Sequence, residues 1–129
     1  MERLNVMIVD DSAIVIRVLS THLTKLGHKV VRTACTGAEA ITAYEACNPD
    51  VVIMDITMPD MDGIEATEKI VASYPDARII VATSHAEKNV VLKARSAGAK
   101  SYLLKPFDPD RLRATLEVVM RGDLHMLNT

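Results

Sequence analysis

The chain has 129 residues, a length that suits one domain over residues 1–129 and leaves little room for a second. Apolar residues make up 49% of it and aromatic residues 3%, with no Trp, so the expected core is aliphatic. The formal net charge is -2 and the Lys and Arg residues are scattered, which argues against nucleic acid as a direct partner.

Cys35 and Cys47 form no C-x-x-C pair, and each lies in an apolar stretch. Reduced, buried thiols are expected. Met1-Glu2-Arg3-Leu4 does not open a secretory signal. No apolar run approaches the roughly 20 residues of a membrane span. A cytoplasmic protein without membrane association is therefore expected.

Val6 to Val9 is a continuous apolar run that ends at Asp10-Asp11, the pattern of a buried first strand. Val15, Leu19, Leu23 and Leu26 then mark one helical face, which Gly27 stops. Val30-Val31 begin a second short strand. Thr36-Gly37-Ala38-Glu39 reads as a capping box, opening a helix through Ile41, Tyr44 and Cys47 that Asn48-Pro49-Asp50 ends. Val51 to Met54 is the third strand and runs into Asp55. A loop containing Pro and Gly leads to Gly63, and a helix from Ile64 to Tyr74 follows. Arg78 to Ala82 predicts the fourth strand. Ser84-His85-Ala86-Glu87 reads as a second capping box, with Ser84 capping a helix that ends near Ala97-Gly98. Tyr102 to Leu104 is the fifth strand. Asp108-Pro109 sets an N-cap before a helix-starting Pro and opens a last helix through Leu112, Leu116, Val119 and Met120.

Strands and helices alternate without a linker, and the strands are apolar throughout. Such strands are buried on both faces, as in a parallel sheet covered by helices. The expected class is α/β, an open doubly wound sheet of five units. A closed eightfold barrel needs about twice the length.

In open parallel sheets, ligands gather beyond the carboxyl ends of the strands. The first strand delivers Asp10 and Asp11 there, the third Asp55, the fourth Thr83 and the fifth Lys105. Two like charges about 4 Å apart repel by roughly 4 kcal/mol at an effective dielectric near 20. A cluster of three acids therefore protonates or binds a cation, and hard oxygen donors favour Mg²⁺ or Ca²⁺. Taken singly, each residue has an ordinary reading: a helix cap for Asp10 or Asp11, a solvated turn for Asp55, a surface cation for Lys105. Their convergence at the ends of separate strands outweighs those readings.

Other chemistries fail on the same residues. The first strand is followed by Asp-Asp-Ser and not by a Gly-rich phosphate cradle. An EF-hand loop aligned on Gly63 would begin at Met58 and end at Lys69, neither of them a ligand. A haloacid dehalogenase-type hydrolase wants an acid two residues after its nucleophile, where Thr57 stands. His22, His28, His85 and His125 have no metal-ligand spacing and are expected at the surface.

Four segments, in order and at these separations, carry a family resemblance: Val6 to Ser12, Ile53 to Gly63, Val81 to Ser84, and Tyr102 to Phe107. The chain resembles the receiver domain of two-component response regulators over essentially its whole length. The resemblance implies a flavodoxin-like, doubly wound sheet of order 2-1-3-4-5 flanked by five helices. It implies that Asp55 is the phosphoacceptor for a sensor histidine kinase or phosphotransfer protein. Asp10, Asp11 and Asp55 would bind Mg²⁺ with the backbone carbonyl of Thr57, and Mn²⁺ or Ca²⁺ could substitute in vitro. Lys105 would pair with the phosphoryl oxygens, Thr83 would be the switch hydroxyl, and Tyr102 the aromatic side chain that turns inward with it. The Lys105-Pro106 bond would be cis. Thr57 and His85 match the two positions that tune phosphate lifetime. Because imidazoles titrate near neutral pH, dephosphorylation is expected to depend on pH through His85.

The expected output is protein–protein contact through the fourth helix, fifth strand and fifth helix, including Lys88, Asn89, Lys93 and Lys100. Residues 121–129 are too short for an output domain, and the Asp-Asp-Ser-Ala start resembles stand-alone chemotaxis-type regulators. The alternatives are the receiver part of a longer DNA-binding or enzymatic regulator, and an Mg²⁺-dependent phosphohydrolase.

Overall fold

The structure, a computed structural model, describes residues 2–85 and 87–122. Its elements run β1 (Asn5–Val9), α1 (Ala13–Lys25), β2 (Lys29–Ala34), α2 (Gly37–Cys47), β3 (Val51–Asp55), α3 (Gly63–Ser73), β4 (Ile79–Thr83), α4 (Lys88–Ser96), β5 (Ser101–Leu104) and α5 (Pro109–Met120). The strands form one parallel five-stranded sheet of order β2-β1-β3-β4-β5. This is the doubly wound, flavodoxin-like architecture expected from the sequence.

The central strands carry two cores. Alternate residues along a strand face opposite ways, so a run of consecutive apolar residues feeds both sides. Met7, Val9, Val52, Met54, Ile79 and Val81 pack against Ala43 and Tyr44 of α2, Ile70 of α3 and Val91 of α4. Val6, Ile8, Val51, Ile53, Ile80 and Ala82 pack against Leu19 and Leu23 of α1 and Leu112 and Leu116 of α5. Each fully buried aliphatic side chain contributes about 1.5–3 kcal/mol.

Local signals set the helix ends. The Ser12 hydroxyl accepts from Val15 N–H and caps α1. Thr36 caps α2 and Asp62 caps α3, each accepting from the N–H three residues on. Asp108 accepts from Asp110 N–H, with Pro109 opening α5. Gly27, at φ 92°, ends α1 in the left-handed region, and the N–H groups after the helix close back onto the Leu23 and Thr24 carbonyls.

Four expectations are corrected. Burial on both faces holds for β1, β3 and β4, but β2 exposes Lys29, Arg32 and Thr33. As an edge strand it has one open flank, and charge there discourages further pairing. Ser84 does not cap the fourth helix, which starts at Lys88 after Glu87, without a side-chain cap bond. Ala86, inside that expected capping box, lies outside the described residues, as do residues 123–129, His125 among them. Cys35 is exposed because it follows the end of β2, while Cys47 is half-buried at the end of α2. His28 is buried, because its Nδ1 accepts the Leu4 N–H at 3.0 Å where β1 begins. Among the described residues, no helix is long and apolar enough to cross a membrane.

Candidate functional site

β3 lies at the middle of the sheet, and its last residue is Asp55, 4% exposed. Asp10 follows β1 next door. Its N–H continues the ladder to the Ala34 carbonyl at 3.0 Å, and its Oδ1 accepts from Ser12 N–H at 2.9 Å. That second bond turns the chain, buries Asp10 and leaves Asp11 exposed. Neither aspartate caps α1. Oxygens of Asp10, Asp11 and Asp55 converge within 4.8 Å of one another.

Lys105 reaches this cluster from the end of β5. Its N–H is held by the Thr83 carbonyl at 2.9 Å. Its ammonium donates to Asp10 Oδ2 at 2.8 Å and to Asp55 Oδ1 at 3.0 Å. Burial pushes the Asp55 carboxyl above the ordinary carboxylate range; the Lys105 hydrogen bond opposes this and the Asp10 charge adds to it. Burial by itself would lower Lys105, but its bonds to Asp10 and Asp55 outweigh this and raise it. A cluster of three acids and one cation remains electron-rich, and its all-oxygen donor set suits a hard divalent ion.

Thr57 is exposed at the start of the β3–α3 loop, with its N–H 3.4 Å from Asp55 Oδ1. Thr83 ends β4. Its hydroxyl donates to the His85 carbonyl and accepts the His85 N–H, both at 3.1 Å, instead of reaching the acids. This local turn also explains why the fourth helix starts late. Asp10, Asp11, Asp55, Thr57, Thr83 and Lys105 line one cleft of about 380 Å³, with Ser84 and His85 also at its wall. Tyr102 and Pro106 do not line it. Tyr102 sits opposite Val81 in the sheet, half-buried against the α4-side core, and the peptide bond before Pro106 is cis.

Sequence reasoning assigned no role to Ser12, which bonds Asp10, or to Gly63. A Cβ on Gly63 would overlap the Asp55 carbonyl oxygen, so α3 starts directly against the backbone of the central acid. The only available signal was the Asp-Gly step before an apolar helical pattern.

Residues 6–117 match the family model of the response regulator receiver domain. The chain belongs to the response regulator receiver family. This receiver is 41% identical over 116 residues to the chemotaxis protein CheY of Thermotoga maritima, covering 90% of this chain and 97% of that one. A LuxR-family two-component response regulator from an Aurantimonas species superposes with a TM-score of 0.91 at 35% identity, covering 95% and 89% of the two chains. The CheX–CheY–BeF₃–Mg²⁺ complex from Borrelia burgdorferi gives 0.85 at 34% identity, covering 89% and 87%. The receiver is thus a CheY-like module of two-component signalling, a signal switch and not a classical enzyme. Receivers of this family bind Mg²⁺ at an acidic pocket and interact with histidine kinases and downstream targets.

Proposed function

We propose that Asp55 accepts a phosphoryl group from a phosphohistidine on a sensor kinase or phosphotransfer protein, and that the acyl phosphate is the signal. The single observation that carries this is the contact of Lys105 with a buried Asp55 beside Asp10. A carboxylate oxygen of Asp55 forms the new P–O bond as the P–N bond to the donor imidazole breaks. The freed imidazole nitrogen takes a proton from solvent. Asp10, Asp11 and Asp55, with the Thr57 carbonyl, would hold Mg²⁺, which neutralises charge between the acceptor and the incoming phosphoryl group. Lys105 is placed to pair with a phosphoryl oxygen as it does now with Asp55.

The added dianion offers new acceptors at the cleft. Thr83 exchanges its His85 partners for a phosphoryl oxygen, and Tyr102 turns inward as that hydroxyl leaves its place. Thr57 and His85, both exposed at the cleft, set phosphate lifetime. The response is a shift between two arrangements. It is read by a protein partner on the α4–β5–α5 face, which exposes Leu92 and Leu104 and includes Lys88, Asn89, Lys93 and Lys100. A second reading, a receiver within a longer regulator, is favoured by the likeness to the transcriptional regulatory protein YhcZ of Bacillus subtilis, 44% identical over 101 residues that cover 46% of that protein; the genomic reading frame after Thr129 decides it.

The test is incubation with Mg²⁺ and acetyl phosphate, read by mass spectrometry. One added phosphoryl group, absent in Asp55→Asn, supports the reading. Multiple turnover on phosphomonoesters without an adduct overturns it.

A further inference from the structure

The β3–α3 loop, residues 56–62, is held at both ends by glycines. At its far end, Gly63 donates its N–H to the Ile56 carbonyl at 2.8 Å and presses its bare Cα against the Asp55 carbonyl. At its outer edge, Met61 lies on Gly37, the first residue of α2. A Cβ on Gly37 would stand 2.9 Å from Met61 Cβ, Cγ and carbonyl oxygen alike. A rotamer change can move Cγ, but the carbonyl belongs to the loop backbone and Cβ is fixed by it. Any side chain at position 37 therefore displaces the loop or the helix.

The loop has little slack to absorb such a shift. Ile56 N–H is bonded to the Ala82 carbonyl at 3.0 Å, and Met61 N–H closes onto the Pro59 carbonyl at 2.9 Å. Met58 is buried, and Asp60 between those partners is held at φ 70°. Thr57, whose N–H and carbonyl face the acid cluster in the reading above, lies between the two glycine contacts.

We propose that Gly37 is a positioning residue for the acceptor site: by letting α2 abut Met61, it fixes the loop that places Thr57 against Asp55. This rests on the phosphoacceptor reading for its consequence and on the Gly37–Met61 contact for its cause. The bland alternative is that Gly37 serves only the packing of α2. The two differ at the acid cluster, because packing alone changes stability and leaves the intrinsic affinity of the folded site for Mg²⁺ untouched.

The test compares Gly37→Ala with Gly98→Ala. Gly98, at φ 107° and with the Val71 side chain where a Cβ would go, lies between α4 and β5 at the opposite end of the sheet, and a side chain there is strained. Urea midpoints, Mg²⁺ affinity by calorimetry and the rate of phosphorylation by acetyl phosphate are measured on each. Gly37→Ala is expected to weaken Mg²⁺ binding and slow phosphorylation by about fivefold to tenfold, as a displacement of a few tenths of an ångström does at a positioned site. Gly98→Ala loses stability and keeps both values. Met61→Leu, which branches at the atom facing Gly37, moves both values the same way and decides the matter should Gly37→Ala fail to fold. Unchanged Mg²⁺ affinity and rate in folded Gly37→Ala, or losses equal to those of Gly98→Ala, overturn the proposal. A wild-type chain that takes no phosphoryl group overturns the acceptor reading instead, and Mg²⁺ affinity then still decides the role of Gly37.

Discussion

The Lys105 ammonium lies 3.0 Å from Asp55 Oδ1, joining the ends of β5 and β3 across a separation of 50 residues. The same ammonium lies 2.8 Å from Asp10, so one cation compensates two buried carboxylates. Lys105→Met leaves both acids uncompensated. The expected loss is about 1–3 kcal/mol at neutral pH, below that of a fully buried pair because the acids can protonate. It shrinks as the pH approaches the carboxylate range. Urea denaturation at neutral and acid pH measures this, and an equal loss at both would contradict it.

Asp55 itself opposes folding at neutral pH. Its folded carboxyl binds its proton more tightly than the unfolded chain does at the ordinary value of 3.8. This contributes stability that is complete below 3.8 and is lost as pH rises through the folded value. Asp55→Asn removes that loss. Without divalent cation, the variant is expected to be more stable than wild type at neutral pH and equal to it under strong acid. Saturating Mg²⁺ reverses the order, because only the aspartate form gains a ligand-linked increment. Thermal melts with and without Mg²⁺ report both effects.

His28 gives the opposite slope in a different window. Burial, and then the nearby amino terminus, lower its pKa below 6.5. The neutral ring accepts the Leu4 N–H, and protonation removes that acceptor. Its stabilising contribution is present above 6.5 and is lost as pH falls through the folded value. His28→Gln is expected to flatten the fall in urea midpoint below neutral pH. A slope unchanged by the substitution would show that other groups carry it.

Ser101, at the start of β5, has a buried hydroxyl without a hydrogen-bond partner among the described residues. An unpaired buried hydroxyl costs about 1–3 kcal/mol. Ser101→Ala is therefore expected to raise stability by roughly 1 kcal/mol once the lost packing is subtracted, with phosphorylation unchanged. A lower urea midpoint would show that the hydroxyl is satisfied in solution.

Much of this molecule follows from short-range pattern. Apolar runs that end on Asp10, Asp55, Thr83 and Lys105 define strands, and strand direction in a parallel sheet carries those four residues to one edge. Thr36, Asp62 and Asp108 start helices through bonds spanning a few residues. Such features depend on neighbours in sequence, so sequence alone determined the elements, their order and the membership of the acidic edge. The tertiary structure decided the contacts between residues far apart. It set Lys105 between two acids, tied the Thr83 hydroxyl to His85, buried His28 under Leu4, opened the flank of β2, and brought Gly37 against Met61 and Gly63 against Asp55. Those pairings come from the order of strands and the close approach of helices. No periodicity along the chain encodes which distant residue will fill the space beside a glycine or a buried imidazole.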